Sequence, residues 1–402
     1  MVKPRRLATP NRLKVFLVAG EASGDAYGAA ALAALREETR LRGWELDAVG
    51  WGGDAMKAQG MRLLHHHRTL SFMGFWEVLK HLRTVLRNLR LAQLDVQREA
   101  PDVLLTLDFP GFNMRLARAL ARAKHPAMRV QWVAPQVWAW KAGRTRQLAR
   151  DFDAVAPILP FEAKALLEAG VEVWSCGHPL VDTVMAHPEE AKHPVALALL
   201  PGSRAQELRS LLPVLVDAAK QGASQGMWSL DDVVVAGAPG RSREEYAVAE
   251  QAGIAVVFGQ TYEVLRAADR AWVASGTATL EAALLNTPHV LVYRTSEVTY
   301  RLAKSLAKVS HIGLPNLLLD RPCVPELIQH DCTASRLLEA TRSELDLQRE
   351  AFAQLRQILG GPGAARSLAG RIVSLFESPS EPHHGPSLGH HDTHRDGGCP
   401  TA

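Results

Sequence analysis

Three stretches of the chain put chemically capable residues where an α/β fold would expose them. The first is Ala271-Trp-Val-Ala-Ser-Gly-Thr-Ala-Thr-Leu-Glu281. An apolar run ends at Ser275, a small-residue turn follows, and Thr277 to Leu285 has helical spacing. A buried strand that passes through glycine into a helix builds an anion site. The first-turn N–H groups lack partners within the helix and carry the positive end of its dipole. Gly276 lets backbone approach a ligand, and Ser275, Thr277, Ala278 and Thr279 supply N–H groups and hydroxyls. Glu281, about one turn in, suits two hydroxyls of a ribose. The second stretch is Pro201-Gly-Ser-Arg204, a turn with free N–H groups, a hydroxyl and a cation whose fork matches a diphosphate. The third is Asp108-Phe-Pro-Gly-Phe-Asn113, which follows the apolar run Asp102–Leu107. An acid at the carboxyl tip of a central strand points into the crevice where α/β enzymes hold substrates. Pro110 and Gly111 turn the chain at once and keep that carboxylate off a helix. Each pattern also fits a plain capped turn.

The elements needed to position these residues are present. At 402 residues the chain fits two domains, and 47% hydrophobic and 22% charged residues describe a globular protein. A net charge of +4 does not by itself indicate nucleic acid. Basic residues lie along a helix with an apolar side and no interleaved stacking aromatics, which disfavours that partner. The four cysteines are scattered without a Cys-x-x-Cys pair, so neither zinc nor a disulfide framework is expected, and a reducing compartment is. No apolar run reaches the ~18 residues that span a bilayer.

Residues 1–13 read as a disordered start. Lys14–Ala19 reads as a strand, Gly20-Glu-Ala-Ser-Gly-Asp25 as a loop and Ala26–Leu41 as a helix. The G-x-G-x-x-G spacing of dinucleotide binders is missing. Ser23, Gly24 and Asp25 are expected either to cap that helix or to wall a substrate cleft. His65-His-His67 reads as surface. Between Phe72 and Arg90, Phe75, Leu79, Leu82, Leu86 and Leu89 recur at helical spacing, with Lys80, Arg83, Arg87 and Arg90 on a second stripe. Phe72, Met73, Phe75 and Trp76 precede or open that helix. Such a helix lies at an anionic membrane surface, or packs on a core with a solvated basic face. Trp138, with Trp140, Lys141, Arg144 and Arg146, reads as a sugar or lipid-phosphate contact, or equally as a core corner with a basic rim. Residues 14–182 form one Rossmann-like domain and 183–194 a linker. Residues 195–363 form a second such domain, with a strand His289–Tyr293 ending in Arg294 and helices at Pro325–His330 and Glu344–Leu359. A last helix at 364–376 is expected to pack back on the first domain. Residues 378–402, rich in Pro, Gly, Ser and His, read as a disordered tail.

The expected fold is therefore α/β and GT-B-like: two Rossmann-like domains whose parallel sheets face each other across a cleft. Over about residues 14–376 the chain resembles the bacterial lipid-A-disaccharide synthase family. The resemblance rests on Gly20-Glu-Ala-Ser-Gly-Asp25, Met73-Gly-Phe-Trp-Glu-Val-Leu79, Asp108-Phe-Pro-Gly-Phe-Asn113, Gln136-Val-Trp-Ala-Trp-Lys141, Leu159-Pro-Phe-Glu162, Gly177-His-Pro-Leu-Val-Asp182, Leu200-Pro-Gly-Ser-Arg204, Ser275-Gly-Thr-Ala-Thr-Leu-Glu281 and Leu314-Pro-Asn316. Each is short, and their order and number together make the match specific.

The resemblance implies an inverting glycosyltransferase that needs no metal and no cofactor. It would move 2,3-diacylglucosamine from UDP to 2,3-diacylglucosamine 1-phosphate, making a β-1,6 bond. It also implies Asp108 as the base. Arg204, the N–H groups near Ser275–Ala278 and Arg294 would meet the charge on departing UDP, and Glu281 would hold the ribose. Asn113 and Trp138 fall in the matching cleft stretches, and Asn316 matches a family position tied to activity. A place on the cytoplasmic face of the inner membrane is implied, with lipid substrates as partners. Swapped dimers among resembling proteins leave a homodimer open. Departures from the family pattern are Ala26-Tyr27, the compact 221–260 segment and the tail. Three alternatives remain at this point. They are a glycosyltransferase for another polar lipid, a UDP-N-acetylglucosamine epimerase, and a non-catalytic membrane-surface protein in which Asp108 is dispensable.

Overall fold

The computed structural model describes residue 5 and residues 7–69, 82–135, 143–187, 194–297, 300–301, 310–342 and 345–377. Two six-stranded parallel sheets organise them. The first contains β1 (Arg12–Ala19), β2 (Glu45–Gly52), β3 (Arg62–His66), β4 (Val103–Leu107), β5 (Met128–Trp132) and β6 (Ala154–Ala156), in the order β3-β2-β1-β4-β5-β6. The second contains β7 (Leu197–Leu200), β8 (Val233–Gly237), β9 (Ala255–Phe258), β10 (Ala271–Ala274), β11 (His289–Tyr293) and β12 (Glu326–Ile328), in the order β12-β11-β10-β7-β8-β9. Counted from its own first strand, each sheet has the doubly wound order 3-2-1-4-5-6.

The strands read as continuous apolar runs because both faces of a parallel sheet are covered. Along β1, Leu13, Val15 and Leu17 pack with the helix Ala22–Leu41, while Phe16 and Val18 pack with Ala92, Val96 and Leu116 on the other face. Along β7, Leu197 and Leu199 join Leu208 and Leu211, whereas Ala198 and Leu200 join Val264 and Leu265. A two-residue period therefore sends one strand into two cores.

The helix Ala364–Ser374 lies in the core of the first sheet, where Leu368 and Ile372 pack with Val15 and Leu35. Its entry is fixed by Asp182, whose carboxylate accepts from the N–H groups of Gly363 (2.5 Å), Ala364 (3.3 Å) and Ala365 (3.1 Å). An anion over a helix N-terminus is favoured by both the unpaired donors and the dipole. The clasp ties the stretch leaving the first sheet to the stretch returning to it.

Several elements differ from the sequence reading. Before β1, Arg5 donates to Asp153 (2.9 Å) and the Ala8 N–H to Asp102 (2.8 Å), so residues 5 and 7–11 are bonded to the sheet edge. The first helix begins at Ala22, because the Asp25 N–H already bonds the Glu21 carbonyl at 2.9 Å. Ser23, Gly24 and Asp25 are thus a helical first turn, not a loop. Residues 326–328 pair in parallel with β11 and are not helical. His65 and His66 belong to β3, with the His65 ring 4.5 Å from that of Trp51.

Candidate active site

In a doubly wound sheet the connections run opposite ways from the first strand and from its neighbour. A crevice opens there at the carboxyl ends. The first sheet makes this switch between β1 and β4, and the second between β7 and β10. All three chemically capable stretches sit at these two points.

At the first, Ala19 is level with Leu107, which puts Glu21 and Asp108 just beyond two neighbouring strand tips. Asp108 and Phe109 both hold left-handed backbone, with φ of 46° and 45°. This costs roughly 1–2 kcal/mol per residue, so the surroundings must enforce it. The Asp108 N–H donates to the Trp132 carbonyl (3.1 Å), and the Asp108 carbonyl accepts from Asn113 Nδ2 (2.7 Å) and Gln131 Nε2 (3.1 Å). Gln131 is itself held by the Thr106 hydroxyl at 2.7 Å. On the other side, a Cβ at Gly20 would lie 2.3 Å from the Phe109 ring, so glycine is required for the ring to pass. The clamp grips the backbone and leaves the carboxyl half-buried at the tip. Burial raises the Asp108 pKa, and a hydrogen bond from the Phe109 N–H opposes the rise. A raised carboxylate is a stronger base than a free one.

At the second point, Gly202 has φ of +102° and a Cβ there would lie 2.5 Å from Glu207 Oε2. The turn can therefore close only as glycine. Arg204 caps the helix Ala205–Ser224, with Nη1 on Glu207 Oε1 at 3.0 Å and its side chain 58% exposed. Opposite, the helix Thr277–Leu284 starts from Gly276, which is exposed and has no side-chain cap. Ser275 is anchored through its N–H to the Val292 carbonyl (2.9 Å). Thr277 and Ala278 stand half-buried in the open first turn. Glu281, one turn further, accepts from the Tyr262 hydroxyl at 3.2 Å, and burial raises its pKa.

The two points interact. Burial raises the Glu21 pKa; the Asp108 charge raises it further and the Arg204 charge lowers it. Tyr27 of the first domain feels both Asp108 and Glu281. One cleft thus holds two carboxylates from the first sheet and a cation, an open helix terminus and a carboxylate from the second. Glu21 was missed by sequence reasoning. Its signal was positional, since it follows β1 as Asp108 follows β4.

Other expected site residues lie elsewhere. The Asp25 carboxylate accepts from the N–H groups of Gly53 (2.7 Å), Ala55 (3.0 Å) and Met56 (3.1 Å), so it supports the loop after β2 and does not wall the cleft. Gly24 is buried, and a Cβ there would lie 3.3 Å from the Ala19 Cβ. Ser23 stays half-buried near the mouth. Asn113 is fully buried and holds the Asp108 carbonyl from behind. Arg294 donates through Nε to the Gln329 carbonyl (3.3 Å) and through Nη2 to the Cys332 carbonyl (2.7 Å), which ties it to that turn. Thr279 turns its hydroxyl back to the Gly276 carbonyl at 2.8 Å.

Asn316 gains a physical account. Its Nδ2 donates to the Val324 carbonyl and Glu326 Oε1, both at 2.8 Å, and its Oδ1 accepts from the Cys323 and Val324 N–H groups, both at 2.8 Å. It is a buried staple for the 323–326 turn. Trp138, Phe72, Met73, Phe75, Trp76 and Lys80 lie outside the described residues.

A sequence model for the family described as Lipid-A-disaccharide synthetase matches residues 15–358. The lipid-A-disaccharide synthase of Myxococcus xanthus is 40% identical over 387 residues, covering 91% of this chain and 98% of that one. That of Chromohalobacter salexigens is 37% identical over 393 residues, covering 92% and 100%.

The chain belongs to the lipid-A-disaccharide synthase family.

It is a glycosyltransferase, and the family match separates it from the epimerases that share its fold. UDP-GlcNAc 2-epimerase from Neisseria meningitidis, solved with UDP-GlcNAc, superposes with a TM-score of 0.56 at 11% identity, covering 90% of this chain and 98% of that one. The calicheamicin glycosyltransferase CalG4 gives 0.51 at 16%, covering 91% and 98%. Likeness at such identity shows the fold alone, here the GT-B pairing of two Rossmann-like domains. Among the described residues no helix is long and apolar enough to cross a membrane.

Proposed function

We propose that this glycosyltransferase moves 2,3-diacylglucosamine from UDP to the 6-hydroxyl of 2,3-diacylglucosamine 1-phosphate. In this reading the hydroxyl oxygen attacks the anomeric carbon while Asp108 takes its proton. The bond from that carbon to the UDP oxygen breaks, and the electron pair leaves with UDP. Inversion needs attack from the face opposite the leaving group. A base on one sheet and a cation and helix terminus on the other meet that need. The charge that develops on UDP falls to Arg204 and the open first turn after Gly276, and Glu281 takes the ribose. Because these groups stand where the charge develops, we read the transfer as independent of metal and cofactor, with the UDP-sugar as substrate. The observation that carries this reading is the clamped, strained Asp108 at one switch point, with Glu21 beside it sensing Arg204 and Tyr27 sensing Glu281 of the other.

The test is UDP release from UDP-2,3-diacylglucosamine, with and without the acceptor, in detergent and EDTA. Release that depends on the acceptor supports the reading. Acceptor-dependent release that is lost in EDTA would overturn its metal-free part, and release from the donor alone would overturn transfer.

We further propose that the enzyme sits peripherally on the cytoplasmic face of the inner membrane through the helix Leu82–Glu99. Arg83, Arg87 and Arg90 are exposed there beside Leu86 (54% exposed) and Leu94 (53%), while Ala92 and Val96 are buried. Arginines interspersed with exposed leucines suit the boundary of an anionic bilayer, where the head stays wet and the leucine enters the acyl region. The acyl chains of both substrates would then reach the cleft without leaving the lipid.

A further inference from the structure

Glu281 is assigned to the ribose in the reading above, and a glutamate at a cleft mouth has several rotamers of which few suit two vicinal hydroxyls. The structure places a second residue on it. Tyr262 opens the helix Thr261–Ala267 and donates its hydroxyl to Glu281 Oε1 at 3.2 Å, the one hydrogen-bond partner of that carboxylate among the described residues. Burial and the neighbouring Glu281 charge push the Tyr262 pKa up, so the phenol stays protonated and donates.

Tyr262 is itself fixed from three directions. Its ring meets that of His187 edge-on at 4.6 Å, with the planes 82° apart. Its body packs on Leu180, Val184 and Leu280. One turn on, the Arg266 guanidinium donates to the carbonyls of Val184 (3.1 Å) and His187 (3.0 Å), which stitches the Tyr262 helix to the end of the helix Pro179–Ala186. A carboxylate has about four lone-pair sites. With one on Oε1 taken by a fixed phenol, the carboxylate loses part of its rotational freedom while Oε2 keeps its lone pairs for a ligand.

We propose that Tyr262 is a positioning residue of the nucleotide site: it orients Glu281 so that the carboxylate takes the hydroxyls of a ribose, making the site selective for ribonucleoside over 2′-deoxyribonucleoside diphosphates. The proposal rests on the assignment of Glu281 to the ribose. Tyr262 touches no reacting atom in this account. It acts only through Glu281, so it contributes more to nucleotide affinity when both ribose hydroxyls are present than when the 3′-hydroxyl alone remains.

Isothermal titration of UDP and 2′-deoxy-UDP into the full-length wild type, Tyr262→Phe and Glu281→Gln tests this. Phenylalanine keeps the ring against His187 and removes only the hydroxyl, and a thermal melt of each variant confirms folding. The wild type is expected to favour UDP. Tyr262→Phe is expected to weaken UDP about five- to tenfold, the net worth of one ordinary hydrogen bond, and 2′-deoxy-UDP by less. Glu281→Gln is expected to abolish the preference. If Glu281→Gln loses the preference and Tyr262→Phe keeps it, the Tyr262 role is overturned while the ribose assignment stands. If both variants and the wild type bind the two ligands in the same ratio, the ribose assignment itself falls. Equal weakening of both ligands by Tyr262→Phe would mean a purely structural role and would also overturn the proposal.

Discussion

Asn113 is buried behind the Asp108 tip, yet it should control the rate. Its Nδ2 holds the Asp108 carbonyl at 2.7 Å and the Leu107 carbonyl at 3.3 Å from a fully buried position. The tip it holds carries two consecutive left-handed residues, at a cost of roughly 2–4 kcal/mol together. Each hydrogen bond is worth about 1 kcal/mol net. Removing both takes away about 2 kcal/mol of the bias toward the strained tip and leaves Gln131 as the remaining side-chain clamp on the Asp108 carbonyl. A bias of this size changes a two-state ratio by about thirtyfold. Asn113→Ala should therefore lower stability by about 2 kcal/mol and lower kcat by roughly ten- to thirtyfold. KM for both substrates and the Kd of UDP should not move, since nothing that binds them has changed.

The assays are steady-state UDP release and a denaturant titration. Alanine also leaves a cavity, so Asn113→Leu, which fills the space without donors, separates the two effects. The reasoning predicts the same loss of kcat in both variants. If Asn113→Leu kept a kcat within twofold of wild type while losing stability, the clamp would be structural only. A rise in acceptor KM with kcat intact would mean that Asn113 meets the acceptor after all.

Asp108→Asn should reduce transfer by about 10²- to 10⁴-fold, the usual worth of a general base, while UDP still binds in a titration. It should also raise the melting temperature at pH 7. Burial lifts the Asp108 pKa above its unfolded value, so the folded state holds the extra proton and ionisation above that window costs stability. The gain in the variant should disappear as pH falls below about 3.9, where both forms are neutral. Arg204→Ala should weaken UDP about tenfold, less at high salt because the side chain is exposed, and unchanged affinity in a titration would remove it from the site. Arg83, Arg87 and Arg90 all changed to glutamine should lose roughly 3 kcal/mol of binding to anionic vesicles, about a hundredfold in a flotation assay. Equal binding of the triple variant at low salt would refute the membrane face.

What was legible in the sequence follows from how local each signal is. The long buried strands and the Rossmann-like halves were readable because each parallel strand is one apolar run with a turn at its end. β3 and β12 were not, since an edge strand of five or three residues such as Glu326–Ile328 carries no period and its pairing with β11 is long-range. The turns at Gly202 and Gly276 were readable as glycine positions. The destinations of polar side chains were not. Asp25, Arg294 and Asn316 look like binding residues by type, and each is spent on backbone groups up to 38 residues away. Nothing within their own turns announces those partners. Glu21 was hidden for the opposite reason, because its place beside Asp108 comes from the register of β1 against β4.

In the proposed transfer, the duplication of one topology accounts for the division of the chemistry between two sheets. A single doubly wound sheet offers one switch point, and a group placed there reaches the reacting centre from one side. Displacement with inversion needs a base on one side of the anomeric carbon and charge stabilisation on the other. Two sheets of the same order, facing through their carboxyl ends, supply both without a new fold. The demands on the two tips differ, and so do their sequences. The base must be fixed to within a fraction of an ångström. The first tip accordingly spends Asn113, Gln131 and Thr106, all buried, on holding Asp108 in a strained conformation. In the same reading the second tip meets a delocalised anion, which tolerates small shifts. It needs only a glycine turn, an exposed arginine and an open helix start. The cost in stability is therefore concentrated at the first tip, and that is where substitutions behind the site should separate rate from binding.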